Sequence, residues 1–142
     1  MRLPELSKDE LRELLRQPLI AKLGTLNADG TIRITPLSFE ARDDCIILNT
    51  HQSNPHAQNL KRNPRCSLLI DTIQPPYKLA HFYGRAEVDS EASAVEEMAA
   101  MYARYTGGLK QAKRHAEAVT RLGKRVFIRF YPERVRTIDF AK

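Results

Sequence analysis

The sequence predicts an α+β domain, an antiparallel β-barrel of six or seven short strands with helices between them. Three observations lead there. Strand-like runs with period-two alternation recur; from Lys78 to Val88, Ala80, Phe82, Gly84, Ala86 and Val88 share one face, and His81, Tyr83, Arg85 and Glu87 the other. Turn residues bound these runs, as where Asn27-Ala28-Asp29-Gly30 joins two of them into a hairpin. Segments with helical spacing lie between the strand runs, without repeats or a linker.

The first element is a helix. Ser7 followed by Glu10 makes a capping box, and Leu6 and Leu11 can form the staple around it. Leu11, Leu14 and Leu15 give its apolar stripe, and Pro18 ends it. Ile20 to Leu26 reads as a strand, and Thr31 to Glu40 pairs back on it. Within this second strand the alternation slips. Ile32 and Ile34 share one parity, Leu37 and Phe39 the other, with Thr35-Pro36 between them. Proline donates nothing to a sheet ladder, so the slip marks either a bulge beside a site or a plain bend of the barrel.

Ala41 to Asp44 turns the chain into a third strand, Cys45 to Thr50. Pro55 to Asn63 reads as a short helix capped by Ser53 or Asn54 and closed by Pro64. Cys66 to Asp71 is a buried strand, Gln74 to Tyr77 a loop, and Lys78 to Val88 the long alternating strand. Two helices follow, about Glu91 to Tyr105 and Leu109 to Leu122, stopped by Gly107-Gly108 and Gly123. RVFIRFY and RVRTIDF then form two last strands around a Pro132-Glu133 turn.

The 142 residues suit one domain spanning 1–142, long enough to bury a core. Mixed charge and ordinary apolar content exclude a disordered chain. No apolar run reaches the length of a membrane span, and the charged N-terminus lacks the apolar block of a secretory signal, so a cytoplasmic protein is expected. Cys45 and Cys66 read as two buried thiols in a reducing compartment, and their spacing fits no zinc site. The net charge of +6 suits an anionic partner, whether phosphate, an anionic coenzyme or nucleic acid, and equally suits solubility alone.

No nucleophile elbow, phosphate-binding glycine loop, dinucleotide fingerprint or zinc-protease motif is present. His51, His56, His81 and His115 have no metal-cluster spacing. An enzyme of this composition would take its chemistry from a cofactor. The segment NTHQSNPHAQNLKRNPR, Asn49 to Arg65, offers a place for one. There a strand ends and a helix begins, and helix N-termini bind phosphate through free N–H groups and positive partial charge. Thr50, Ser53 and Asn54 add donors, and Lys61, Arg62 and Arg65 add charge. An ordinary capped surface helix would look the same.

IAKLGTLNADGTIRITPLSF, NT…NLKRNPRCSLLID, QPPYKLAHFYGRAEV and YPERVRTIDF, in that order, cover nearly the whole chain. The set resembles the FMN-binding split barrels related to pyridoxamine 5′-phosphate oxidase, and within them the branch of oxidoreductases that use the deazaflavin coenzyme F-420. The resemblance implies a split barrel and a homodimer with two cofactor sites at the interface. It implies that the cofactor ring lies along Thr35, Pro36, Leu37 and Ser38. It places the phosphate near Thr50, Ser53, Asn54 and the start of the following helix, with His56, Asn59 and Arg62 in the same set. The Pro75-Pro76-Tyr77 loop or the terminal strand of a second copy would cover the ring. No catalytic side chain and no metal ligand is assigned.

His56 stands where such relatives commonly carry a lysine, three residues before Asn59, with Asn54 and Gln58 flanking it; Ile138 stands where many carry an aromatic residue. Losing a charge-assisted contact to phosphate weakens binding by about 1.5–3 kcal/mol. The expected function is hydride transfer between a flavin-type cofactor, F-420 first and FMN second, and a small organic substrate. A non-catalytic split barrel that carries flavin, haem or another tetrapyrrole is the alternative, with His81 or His51 as a possible ligand. Nucleic-acid binding is disfavoured, because the few aromatic residues are not interleaved with the basic ones.

Overall fold

A computed structural model describes residues 2–142. The chain runs α1 (Lys8–Arg16), β1 (Ala21–Leu26), β2 (Ile32–Leu37), β3 (Phe39–Ala41), β4 (Ile46–His51), α2 (Pro55–Arg62), β5 (Arg65–Asp71), β6 (Lys78–Val88), α3 (Val95–Tyr102), α4 (Leu109–Arg121) and β7 (Arg125–Asp139). The seven strands form one antiparallel sheet in the order β2-β1-β5-β6-β7-β4-β3. Its two edge strands, β2 and β3, are consecutive in the chain with only Ser38 between them. Leu37 and Phe39 are therefore no more than about 7 Å apart along the backbone. The sheet has to curl until its edges meet, which makes a barrel. β2 pairs only with β1, and β3 only with β4, so the barrel is split along that seam. The architecture is the α+β barrel expected from alternation, with seven strands and four helices among the described residues.

Alternate residues of the strands fill the interior, where Leu23, Phe39, Leu68, Ile70, Ile128 and Phe130 are fully buried. α1 packs Leu14 into the same core. Its start is fixed as its sequence predicts. The Ser7 hydroxyl accepts the Glu10 N–H at 3.1 Å, and the Glu10 carboxylate accepts the Ser7 N–H at 2.8 Å. α3 and α4 cover the other face of β4 and β7, where Met98, Met101, Ala112 and Ala116 meet Ile47 and Phe127. Both faces of β4 are thus buried, which is why its sequence is continuously apolar rather than alternating. No helix is long and apolar enough to cross a membrane.

One open alternative is decided and three local expectations are corrected. The β1–β2 register runs unbroken from Leu26↔Ile32 to Ala21↔Leu37, so there is no bulge at Thr35-Pro36. Pro36 is tolerated because β2 is an edge strand, and the slip in alternation is the barrel bend at Ser38. The two terminal strands are one strand, β7. A register shift, Tyr83↔Arg134 to Gly84↔Pro132, absorbs Glu133 as a bulge. Gly84 makes this possible, since a Cβ there would overlap the Tyr131 carbonyl oxygen. α3 is shorter than expected. Its approach is drawn onto β7 by Asp89 N–H to Phe127 O and Ser93 N–H to Arg125 O, both 2.9 Å, and its exit turns toward Phe39. Of the two thiols, Cys45 is buried but Cys66 only half-buried.

The seam is held from outside. Arg104 Nη2 donates to Leu15 O at 2.9 Å and Gln17 O at 2.8 Å, and its Nη1 donates to Phe39 O. The Tyr105 hydroxyl accepts the Phe39 N–H at 3.0 Å and donates to Leu19 O at 2.7 Å. Replacing Arg104 by Met strips three carbonyls of their shared donor. Arg104→Met should lower the free energy of unfolding by about 2–4 kcal/mol, measured by urea titration at neutral pH. A loss below about 1 kcal/mol would mean that packing of Phe39 holds the seam unaided.

Candidate functional site

β4 runs out of the barrel at His51, and Pro55 starts α2 four residues later. Pro55 suits that place, because the first helical N–H has no partner to lose. Asn54 is the N-cap residue, but its side chain makes no capping bond to the helix. It donates instead to Thr50 Oγ1 at 2.9 Å. Thr50 Oγ1 also shares a 2.7 Å hydrogen bond with His56 Nε2. Thr50, Asn54 and His56 therefore form one cluster, and the first-turn amides of α2 have no side-chain cap. Ser53 turns the other way. Its amide lies 3.2 Å and its hydroxyl 2.8 Å from His51 Nδ1. The His51 ring is pressed against Gly123, whose φ of +148° and lack of a Cβ both make room for it.

His56 is 4% exposed. Burial, with the positive charges of Arg33 and Arg125 adding to it, pushes its pKa down to about 4. The ring is therefore neutral near pH 7. Those two arginines were not singled out in the sequence. Arg33 lies across from Thr25 in the β1–β2 register, and Arg125 opens β7. Arg125 donates from Nε to Asn49 Oδ1 at 3.0 Å and lies 3.3 Å from the Tyr102 hydroxyl. Two arginine charges felt at His56 thus have no carboxylate partner among the described residues.

Two of the three basic residues expected to charge this site, Arg62 and Arg65, have partners within the chain. Arg62 donates to Leu26 O at 3.1 Å and Asn59 Oδ1 at 2.8 Å. Asn59 Nδ2 donates to Thr25 Oγ1 at 3.1 Å and Asn27 Oδ1 at 2.7 Å. Both residues brace α2 against the β1–β2 hairpin. Arg65 pairs with Glu133 at 2.7 Å. The signal for Arg33 was its parity: it shares an inward-facing phase with Thr35, two residues on.

Thr35, Pro36, Leu37 and Ser38 form the end of edge strand β2 and the joint to β3. Thr35 and Leu37 are half-buried and face the barrel side, opposite Leu23 and Ala21, while Pro36 is exposed. An edge strand leaves half of its backbone N–H and C=O groups without a ladder partner. β3 pairs Phe39 with Leu48, so this edge lies beside the β4 end that carries Thr50. All three parts of the expected site meet at one mouth: the β2 edge, the Thr50 cluster and the α2 start.

The remaining candidates lie elsewhere. His81 is half-buried on β6, and His115 is exposed against Tyr102. Burial pushes the Cys66 thiol up to about 12, so it is no nucleophile near neutral pH. Among the described residues, no three His, Cys, Asp or Glu are grouped to hold a metal ion.

The family model described as pyridoxamine 5′-phosphate oxidase matches residues 7–139. No curated protein matches the chain. Among solved structures, a conserved hypothetical protein from Mycobacterium tuberculosis is 27% identical, covering 95% of this chain and 86% of that one, with a TM-score of 0.79. An F-420 reductase is 20% identical over 88% of this chain and 94% of its own, with a TM-score of 0.65. The haem storage protein from Vibrio cholerae is 19% identical over 98% and 95%, with a TM-score of 0.69. These last two share the fold.

Neutral His56 has a consequence for stability. Between pH 6.5 and about 4 the unfolded chain binds a proton at this residue and the folded chain does not. Its contribution is complete above pH 6.5 and is lost as pH falls toward 4, about 3 kcal/mol in all. Urea unfolding at pH 7 and pH 4.5 should show this loss, and His56→Gln should remove that part of the difference. An unchanged slope in the variant would place the titrating group elsewhere.

Proposed function

The chain belongs to the pyridoxamine 5′-phosphate oxidase family, and on that premise we propose that it is a cytoplasmic oxidoreductase passing a hydride between a flavin-type cofactor and a small organic substrate. F-420 is the preferred cofactor and FMN the second. One observation carries this reading: a free sheet edge at Thr35–Ser38 lies beside a helix start flanked by two guanidinium groups that no carboxylate neutralises. That combination suits a planar heterocycle with an anionic tail.

The residues present fit such a group. The free N–H and C=O groups of the β2 edge match the alternating donors and acceptors on the rim of a flavin-type ring. Arg33, Arg125, the His56 amide and the Thr50 hydroxyl offer an anion charge and hydrogen bonds. His56 contributes a hydrogen bond and no charge. When bound, the cofactor supplies the hydride chemistry. The chain's part is to orient the ring edge, hold the anion and keep water from one face of the site. The absence of a catalytic side-chain set is then expected.

The preference for F-420 rests on the resemblance to the deazaflavin-using branch, and charge is compatible with it. The acidic tail of F-420 suits a surface with a net charge of +6. FMN depends on one tight phosphate pocket, which neutral His56 weakens. A homodimer belongs to the same reading, because Pro36 is exposed and a ring laid along it needs a cover. The exposed Pro75-Pro76-Tyr77 loop of a second copy is the proposed cover. The free thiols Cys45 and Cys66 fit a reducing cytoplasm.

Titration of the purified protein with F-420, FMN and haem tests the proposal. F-420 should bind at micromolar concentration or tighter, with FMN weaker. Failure of both flavin-type cofactors to bind would end the oxidoreductase reading, and a haem Soret shift in their place would establish the non-catalytic alternative. His56→Lys restores a cation beside the anion and should tighten FMN about tenfold or more, worth 1.5–3 kcal/mol at roughly this kind of contact. Unchanged FMN affinity would move the phosphate away from α2.

A further inference from the structure

The last turn of β4 carries polar residues on both faces. Alternation sends Leu48 and Thr50 toward the barrel interior, and Ile47 and Asn49 toward α3 and α4. Asn49 is 3% exposed, and its carboxamide is saturated. Nδ2 donates to Ser93 Oγ at 2.9 Å and to Val126 O at 3.2 Å. Oδ1 accepts from the Tyr102 hydroxyl at 2.9 Å and from Arg125 Nε at 3.0 Å. Two hydrogen bonds given and two accepted are the full capacity of an amide. They also fix its orientation, because a flipped amide would set its N–H groups against Arg125 and its oxygen against a carbonyl.

The network closes on Arg125. The Tyr102 hydroxyl gives its proton to Asn49, so toward Arg125 Nη2, 3.3 Å away, its oxygen is an acceptor. Ser93, which accepts from the Asn49 amide, donates its own N–H to Arg125 O at 2.9 Å. One set of residues therefore holds both the backbone and the guanidinium of Arg125. Among the described residues, Nη1 meets no acceptor. In the β4–β7 register Arg125 lies opposite His51, and Val126 opposite Thr50. The clamp thus adjoins the Thr50–His56 cluster.

The choice of acceptors matters. A carboxylate would hold a guanidinium more strongly than an amide does, and would cancel its charge. A buried amide and a phenol grip the same fork through neutral oxygens and leave the charge in place. That charge is felt at His56, where it acts with burial and Arg33 to keep the ring neutral.

We propose that Asn49 and Tyr102 are positioning residues, which fix the Arg125 guanidinium beside the Thr50–His56 cluster and leave its charge available to a bound anion. This deepens the flavin-type reading above and rests on it for the identity of the anion. The competing role, fastening α3 to β4, would not involve Arg125.

A double-mutant cycle on the full chain separates the two roles. The first readout is the His56 imidazole, titrated by NMR without ligand. Arg125→Met should raise its midpoint from about 4. Tyr102→Phe should raise it part of the way, and should add nothing in the Arg125→Met background. The second readout is affinity for F-420 and FMN. Asn49→Asp keeps the fork but cancels its charge, and should weaken binding about tenfold or more. A His56 midpoint that Tyr102→Phe leaves unmoved, or moves equally in both backgrounds, would overturn the proposal. So would cofactor affinity undiminished by Asn49→Asp. If neither F-420 nor FMN binds the wild-type chain, the oxidoreductase reading fails separately, and the His56 midpoints still decide whether Asn49 and Tyr102 hold Arg125.

Discussion

Between Leu37 and Phe39 the chain passes from one edge of a seven-stranded sheet to the other, with Ser38 as the only intervening residue. The curl of the sheet follows from that single joint, and so does the position of everything at the barrel mouth. β2 and β4 are distant in the strand order, yet the joint brings the end of one beside the end of the other. Arg104 and Tyr105 grip the joint from the exit of α3, tying Phe39 to the end of α1 and to Leu19. The donors are a guanidinium and a hydroxyl with well-formed hydrogen bonds, and the acceptors are backbone carbonyls that would otherwise lie unpaired at a bend. The hairpin α3–α4 therefore does more than cover β4: its exit holds the barrel closed.

The mouth inherits its electrostatics from this geometry. Arg33 comes from β2, Arg125 from β7 and His56 from α2, three elements that only the closed barrel brings together. Some cations elsewhere do meet a carboxylate, as Arg65 meets Glu133 and Arg129 meets Asp89. The two arginine charges hold the buried imidazole neutral near pH 7 together with its burial. The fold does not choose which anion. An F-420 reductase and a haem storage protein share this architecture, so the chemistry has to be argued from the residues at the mouth.

Much of the fold was legible in the sequence because its signals are local. The capping box at Ser7 and Glu10, the Gly30 turn with φ +87° and the alternation of β6 each depend on residues close in the chain. The site was half legible. Thr50, Asn54 and His56 come together as their helix-start setting implied, and Thr35–Ser38 does form an exposed edge. The bracing bonds of Arg62 and Asn59 were not legible, because a basic residue beside a helix start looks the same whether or not it also meets a carbonyl 36 residues away, as Arg62 meets Leu26. The break in alternation at Thr35-Pro36 was real, but its meaning lay in a neighbour exchange at Ser38 that parity by itself could not separate from a bulge.

By itself the sequence determined the secondary elements, the barrel class and the family, since periodicity, caps, turns and motif order are properties of short stretches. Only the tertiary structure decided that β2 and β3 are the two edges of one sheet, that RVFIRFY and RVRTIDF are one strand, and that the charges of Arg33 and Arg125 act on His56. The physical reason is the same in each case. Pairing partners, burial and the neutralisation of charge depend on residues far apart in the chain, and they acquire values only when the sheet has closed.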